Sequence, residues 1–147
     1  MTYCISNVSK EEYPELLRIW EASVRATHHF ITEEDILFFK EVIPSYFDAV
    51  SLFAVRNREG RILGFLGTSD EAVEMLFISP EARGKGIGKI LLRQAVNQLH
   101  LKKVDVNEQN EQAVGFYQHM GFSVINRSEL DGSGKPYPIL HMEYKGE

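Results

Sequence analysis

The chain has 147 residues, of which 44% are hydrophobic and 25% are charged, and these values predict one domain over residues 1–147 with a sizeable core. Its formal net charge of −5 argues against general nucleic-acid binding, which needs a basic surface. The sequence has no long apolar run, no secretory signal pattern and no second cysteine to pair with Cys4, which predicts a protein of the reducing cytoplasm without a membrane segment.

The start of the chain predicts a strand followed by an amphipathic helix. Residues 3–8 form the candidate strand. Ser9 and Glu12 have the spacing of a capping box, but Pro14 indicates that the helix begins later than Ser9. Residues at helical spacing give this helix one apolar face: Tyr13, Leu16, Leu17, Trp20 and Val24.

A second helix and a hairpin are expected next. The helix covers residues 33–47 and is expected to be interrupted at Pro44. Two β-rich runs at 52–56 and 62–68 flank the turn 57–60, which is typical of a hairpin. The aromatic residues of the helix, which we expect in the core or in a lid, are Phe38, Phe39, Tyr46 and Phe47.

The second half of the chain alternates strands with helices. Gly121 stands where a helix C-terminus favours a positive φ. The order β-α-α-β-β-β-α-β-α-β-β predicts a mixed sheet with helices on both faces. The expected elements are a strand at 73–78, a helix at 90–99, a strand at 103–106, a helix at 111–120 and strands at 122–126 and 139–144.

The glycine-rich loop 83–89, Arg-Gly-Lys-Gly-Ile-Gly-Lys, is the most informative motif. A strand precedes it and a helix follows it, and this arrangement forms a cradle for an anion from backbone N–H groups and the helix dipole. Glycines let the backbone approach a phosphate closely. The residues of this predicted phosphate site are Arg83, Gly84, Lys85, Gly86, Ile87, Gly88 and Lys89.

Two common phosphate loops do not fit this motif. A Walker loop needs Ser or Thr after Gly88-Lys89, where the chain has Ile90, and an earlier glycine where it has Arg83. A dinucleotide fingerprint needs a third glycine where the chain has Lys89. A nucleoside triphosphate and NAD are therefore disfavoured as ligands.

The remaining pattern, Arg83-x-x-Gly86-x-Gly88, resembles the acyl-CoA loop of the GCN5-related N-acetyltransferases, the GNAT superfamily. The segments 76–80 and 110–122 resemble the blocks of that superfamily before and after the loop. The runs 107–117 and 134–138 are most similar to the small bacterial YjaB-like acetyltransferases.

The resemblance implies the GNAT fold: a mixed, mostly antiparallel sheet of about seven strands, splayed between strands 4 and 5, with helices on both faces. It implies direct transfer of the acetyl group from acetyl-CoA to a primary amine, and the YjaB-like match favours a protein lysine. A small-molecule amine remains the alternative acceptor, and a non-enzymatic acyl-CoA sensor is a further alternative. The protein would be a monomer or a homodimer.

The same resemblance implies roles for individual residues. Tyr117 would be the general acid, because a phenol has a pKa of about 10, near that of an alkyl thiol. Asn110 would contact pantetheine or cap its helix. A backbone N–H group, that of Phe77, would stabilise the thioester oxygen. Backbone groups that would bind the pantetheine arm belong to Leu76, Phe77 and Ile78.

The sequence does not decide which residue is the base that deprotonates the amine. Glu74 is a candidate if it shares a partly buried face with its neighbours, and Asp105 is a candidate beside the splay. His28 is a candidate because histidine titrates in the required range. His100, His119 and His141 have no supporting context, and no residue group has the spacing of a metal site. The segments 28–47 and 131–138 would line the acceptor side.

Overall fold

The structure, a computed structural model, describes residues 3–147. Within these residues a seven-stranded sheet is flanked by four helices, in the predicted order. No described helix has the length and apolarity needed to cross a bilayer. The prediction of one domain over residues 1–147 stays a prediction, since residues 1 and 2 lie outside this range. The elements are β1 (Cys4–Asn7), α1 (Tyr13–Thr27), α2 (Glu33–Ala49), β2 (Ser51–Arg56), β3 (Ile62–Thr68), β4 (Ala72–Ile78), α3 (Ile87–Arg93), β5 (Lys103–Asn107), α4 (Glu111–His119), β6 (Phe122–Ser128) and β7 (Ile139–Tyr144).

Helix α1 begins where the proline predicts. The backbone N–H of Ser9 donates to Glu12 Oε1 at 3.0 Å, which closes the capping box around a single 3₁₀ turn. Pro14 then lies in the first turn of α1, where its missing N–H removes no helical hydrogen bond. Burial of Leu16 and Trp20 against the sheet holds the helix in place.

Helix α2 differs from the sequence expectation, because it continues through Pro44 to Ala49 without interruption. Ile43 and Phe47, on either side of the proline, are both buried. Burying two such side chains contributes about 3–6 kcal/mol, which offsets a proline cost of about 3 kcal/mol. Of the aromatic residues expected in the core or in a lid, Phe47 is in the core and the half-buried Phe39 packs against it, whereas Phe38 and Tyr46 are exposed.

The sheet has the strand order β1-β2-β3-β4-β5-β7-β6, in which β4 and β5 are parallel and every other described pair is antiparallel. Helices α1 and α2 cover one face of β2–β4, around Phe47 and Phe65. Helices α3 and α4 cover the other face, around Leu91, Val104 and Met142. The sheet thus carries helices on both faces, as predicted.

The splay expected between the fourth and fifth strands is present. β4 and β5 pair only at Ala72–Lys103 and Val73–Val104 and then separate. A β-bulge at Glu74 marks this point, because Thr68 of β3 pairs with Val73 whereas Gly67 pairs with Met75. The bulge bends β4 away from β5, so the backbone on this side of β4 is left without a strand partner.

Candidate active site

A cavity of about 410 Å³ opens at the splay. Its walls are the C-terminal end of α1, strands β4 and β5, the loop 83–89 and helix α4. Every site residue that the sequence predicts lines this cavity, except Lys85. The others meet here: His28, Glu74, Leu76, Phe77, Ile78, Arg83, Gly84, Gly86, Ile87, Gly88, Lys89, Asp105, Asn110 and Tyr117.

The loop 83–89 presents unbonded backbone donors. Gly84 and Gly86 have φ of +75° and +81°, in the left-handed region that glycine adopts without strain. In the described chain, the N–H groups of Gly84, Lys85 and Gly86 donate to no other protein group. Helix α3 begins directly after them at Ile87, with its positive dipole end toward the loop.

Three cations surround these donors. Arg83, Lys85 and Lys89 are exposed, and within residues 3–147 none of them pairs with a carboxylate. Leaving three cations unpaired in a chain of net charge −5 concentrates positive potential at the loop. The loop can therefore hold a group with several negative charges, such as a diphosphate.

The register of β3 and β4 decides which backbone groups face the splay. Ser79 N–H donates to Leu63 O at 2.9 Å, so Ile78 and Gly64 form a non-hydrogen-bonded pair. By alternation the backbone N–H and C=O of Phe77 belong to the ladder with β3. The expectation that the Phe77 N–H is free for a thioester oxygen is therefore wrong. The groups that point into the splay are those of the neighbouring residues, Leu76 and Ile78.

Asn110 fixes a hydrogen-bonded chain between α4 and α1. It is the N-cap of α4, since Oδ1 accepts from Ala113 N–H at 3.2 Å. Its Nδ2 therefore faces His28 Nε2 at 3.3 Å, and His28 Nδ1 lies 2.7 Å from Thr27 Oγ1. Because the Thr27 hydroxyl donates to Ser23 O, it accepts from Nδ1–H, which makes His28 a neutral Nδ1–H tautomer.

His28 is poorly suited to act as the base. Burial of its ring, assisted by the Arg83 guanidinium and by His29, lowers the pKa of His28 from 6.5 to about 4. Its one lone pair already accepts from Asn110. The geometry makes His28 a support for the start of α4, and its role as the base stays a prediction.

Tyr117 is enclosed by aromatic rings at the α4 side of the cavity. It is 6% exposed, and its ring centroid lies 5.3 Å from that of Phe116 and 5.8 Å from that of Phe122. Burial raises the pKa of Tyr117 well above its ordinary value of 10, so the phenol is a neutral donor at any physiological pH. The sequence analysis expected the pKa of the phenol to be close to that of the leaving thiol. With the pKa of Tyr117 raised, the two values stay close only if the leaving thiolate is desolvated to a similar degree.

Of the two carboxylate candidates, Asp105 lies on the face of the sheet opposite Tyr117. Val104 and Val106 are buried beneath α3 and α4, so Asp105 between them points the other way. Glu74 is exposed at the bulge of β4 and accepts from Ser69 Oγ at 3.0 Å. The partly buried environment expected for Glu74 is thus absent.

Asp105 has partners that sequence reasoning missed. Its Oδ1 lies 2.7 Å from His141 Nδ1, and His141 Nε2 lies 2.6 Å from Ser128 Oγ. The register of β5 and β7 places Asp105 directly opposite His141. Period-two alternation in β7 could have assigned His141 to a polar face, but only the strand pairing identifies Asp105 as its neighbour.

No three described His, Cys, Asp or Glu residues form a metal-holding group.

A second missed cluster ties the loop before β7 to the start of α2. The Tyr137 hydroxyl donates to Asp35 Oδ2, and Lys135 Nζ lies 2.9 Å from Asp35 Oδ1. Lys135 also lies 4.5 Å from the ring centroid of Phe38. We call Asp35, Lys135 and Tyr137 the clasp. It joins the two segments that were expected to line the acceptor side, and it closes that side beside Phe30, whose ring centroid is 6.0 Å from that of Tyr137.

Comparison with protein families decides the assignment. A model described as the acetyltransferase (GNAT) domain matches residues 21–145. The chain belongs to the GNAT family. It is therefore an acetyl-CoA-dependent N-acetyltransferase, and the sequence resemblance is confirmed.

Individual GNAT proteins agree with this membership. The chain is 40% identical to the peptidyl-lysine N-acetyltransferase YjaB of Escherichia coli over 146 residues, 99% of each protein, and the apo solution structure of YjaB superimposes with a TM-score of 0.92 over 100% of both chains. It is 30% identical to the peptidyl-lysine N-acetyltransferase YiaC of Escherichia coli, over 92% of this chain and 94% of YiaC. The PaiA N-acetyltransferase of Thermoplasma acidophilum, solved in complex with coenzyme A, shares the fold at 23% identity, with a TM-score of 0.74 over 99% of both chains.

Proposed function

We propose that this protein transfers the acetyl group of acetyl-CoA to the ε-amine of a lysine residue in a protein, by direct attack of the amine on the thioester. Family membership supports the acetyl transfer. The names of YjaB and YiaC, which are similar over nearly the full chain, support the lysine acceptor.

One observation carries the proposal: a proton donor and a carboxylate lie on opposite faces of the sheet at the same splay. Tyr117 is buried on the α4 face, Asp105 lines the cavity from the other face, and the exposed Glu74 lines the cavity at the bulge of β4. A thioester in the splay would have its sulfur toward the donor and its carbonyl carbon open to an amine from the carboxylate side. This is the arrangement that direct attack needs.

The coenzyme would be held mainly by backbone. The N–H groups of residues 84–86 and the start of α3 would bind its diphosphate, with Arg83, Lys85 and Lys89 adding charge. The pantetheine arm would lie beside β4 like an added strand and bond to Leu76 and Ile78, whose backbone groups face the splay. One of these two N–H groups would stabilise the oxyanion.

Three proton transfers complete the proposed reaction. Asp105 takes one proton from the lysine ammonium, and the neutral amine then attacks the carbonyl carbon. As the carbon–sulfur bond breaks, Tyr117 gives its phenolic proton to the sulfur and regains a proton released from the new amide nitrogen. One proton is released overall for each acetyl group transferred.

The acceptor face favours a cation. Asp105 has 62% of its side chain exposed, and Glu74 is exposed beside it, so both can attract an ammonium group. The aromatic Phe30 beside the clasp can pack against the aliphatic stem of a lysine. Cys4 is free, which is compatible with the reducing cytoplasm.

The test is an acetylation assay with lysine peptides and a panel of small amines. We expect the protein to release CoA and to add 42 Da, the mass of an acetyl group, to lysine peptides, as mass spectrometry would show; peptides with arginine in place of lysine are the matched control. Transfer confined to one small amine would overturn the lysine acceptor. Acetyl-CoA binding without CoA release for any amine would favour the sensor.

A further inference from the structure

Three polar side chains form a line across the uncovered face of β5, β7 and β6. Asp105 Oδ1 meets His141 Nδ1 at 2.7 Å, and His141 Nε2 meets Ser128 Oγ at 2.6 Å. Both distances are within normal hydrogen-bond length. Asp105 belongs to the cavity lining, whereas His141 and Ser128 lie behind it, away from the splay. The line therefore runs from the proposed reaction centre outward across the sheet.

The hydrogen-bond roles in this line follow from the chemistry of each group. An ionised carboxylate only accepts, so His141 Nδ1 carries the proton that bonds to Asp105. Nε2 of the neutral ring is then an acceptor, and the Ser128 hydroxyl donates to it. Asp105 thus selects the tautomer with the N–H at Nδ1, and Ser128 holds the ring through its contact with Nε2.

This arrangement orients the carboxylate. Nδ1–H holds Oδ1 of Asp105, and within residues 3–147 no protein group bonds to Oδ2. One oxygen is anchored and the other is left for a substrate proton. Because Asp105 stands on a strand and is anchored from the adjacent strand, its carboxylate has little rotational freedom to lose during the reaction.

We propose that His141, with its ring held by Ser128, is a positioning residue that acts through Asp105 in the acetyl transfer. The inference rests on the proposed function, in which Asp105 takes the amine proton. His141 does not touch the reacting atoms. It holds the Asp105 carboxylate at the angle from which Oδ2 reaches the incoming ammonium.

The other charged side chains on this face do not offer the same contact. The register places Lys103 opposite Glu143, on the same face as Asp105 and His141. Glu143 bonds to Lys145 Nζ at 2.7 Å. Within the described chain, the protein hydrogen bond to the Asp105 carboxylate therefore comes from His141.

Two substitutions at His141 separate positioning from packing. His141→Phe keeps a ring but removes both nitrogens. His141→Asn keeps an N–H donor at the same number of bonds from Cα as Nδ1. We expect His141→Phe to lower kcat about tenfold with the KM for acetyl-CoA unchanged, and His141→Asn to stay within about threefold of wild type. His119→Phe, an exposed position on α4, is the matched control and should keep wild-type kcat.

The rates are measured with whichever amine the wild-type protein acetylates fastest, so a wrong acceptor and a wrong role for His141 give different results. Wild-type kcat in His141→Phe would overturn the positioning role, and so would an equal loss in the Phe and Asn variants. Thermal unfolding of each variant identifies a loss caused by instability. If His141→Phe does not fold, Ser128→Ala decides: a loss of about threefold in kcat at constant KM supports the role, and wild-type kcat overturns it.

Discussion

The two halves of the sheet are built differently. Strands β2–β4 are covered by helices on both faces, and large side chains such as Trp20, Phe47 and Phe65 are buried there. Among the described residues, strands β5, β7 and β6 pack on one face into the core that includes α4, and their other face carries polar residues such as Asp105 and His141. The covered half supplies stability, and the half-covered part leaves a polar face on which a charged substrate can approach.

The difference has an energetic basis. Each large apolar side chain buried in the covered half contributes about 1.5–3 kcal/mol. A buried carboxylate at Asp105 would instead incur a desolvation cost of several kcal/mol unless it were paired. The carboxylates therefore lie where the helices stop, at the boundary that the β4–β5 splay marks. We expect substitutions at this boundary to change rates and substitutions in the packed half to change stability.

The largest expected effect is on turnover in Tyr117→Phe. Loss of the general acid should lower kcat by about 10²–10⁴-fold, while acetyl-CoA affinity, measured by calorimetry, should barely change. Since the hydroxyl bonds to no other described protein group and the ring stays between Phe116 and Phe122, the free energy of unfolding should change by less than about 0.5 kcal/mol.

The matched control is Tyr144→Phe. Tyr144 stacks on the same Phe122, with ring centroids 5.4 Å apart, but it does not line the cavity. It should keep wild-type turnover. Normal turnover in Tyr117→Phe would show that this residue is not the general acid. It would also contradict the expectation that substitutions at the splay change rates whereas substitutions in the packed half change stability.

A smaller effect is expected on coenzyme binding in Gly86→Glu. A Cβ at Gly86 would meet no atom within 4 Å, so the substitution acts by charge and by its φ of +81°. A carboxylate beside the diphosphate should weaken acetyl-CoA binding by about 10- to 100-fold, and less at high salt. Gly86→Asn is the neutral control, since asparagine tolerates the left-handed region. Unchanged affinity in Gly86→Glu would place the phosphates elsewhere.

The smallest effect concerns the pH dependence of stability and involves His28. Its pKa is about 4 in the folded protein, because of burial and of Arg83, against 6.5 in the unfolded chain. Between these values the unfolded chain binds a proton that the native protein does not, so stability falls as pH falls from 6.5 toward 4. From pH 7 to pH 5 the loss should be about 2 kcal/mol.

Urea unfolding at pH 7 and pH 5 measures this difference. His28→Gln should remove most of the pH dependence, whereas His119→Gln, an exposed histidine, should keep it. The Arg56 guanidinium and the Ser9 N–H hold the pKa of Glu12 at about 2. The contribution of Glu12 to the free energy of unfolding is therefore lost only below pH 4.5, outside the range of this measurement. An unchanged pH dependence in His28→Gln would show that the ring is not held neutral by the fold.

Much of the fold was predictable because it depends on local signals. The capping box at Ser9, the turn at Gly60 and the positive φ at Gly121 are local, and the order of strands and helices follows from apolar periodicity. The interruption at Pro44 was wrong because the local cost of a proline is offset by contacts of Ile43 and Phe47 with residues distant in sequence.

The sequence by itself indicated the glycine-rich loop 83–89, the family and a part of the residues that line the cavity, because each of these depends on short motifs. Only the tertiary structure decided which β4 amides face the splay, that the lone pair of His28 is occupied, and that His141 stands against Asp105. These depend on strand register and on contacts between residues distant in the chain, and a shift of one residue in register reverses the face on which every side chain lies.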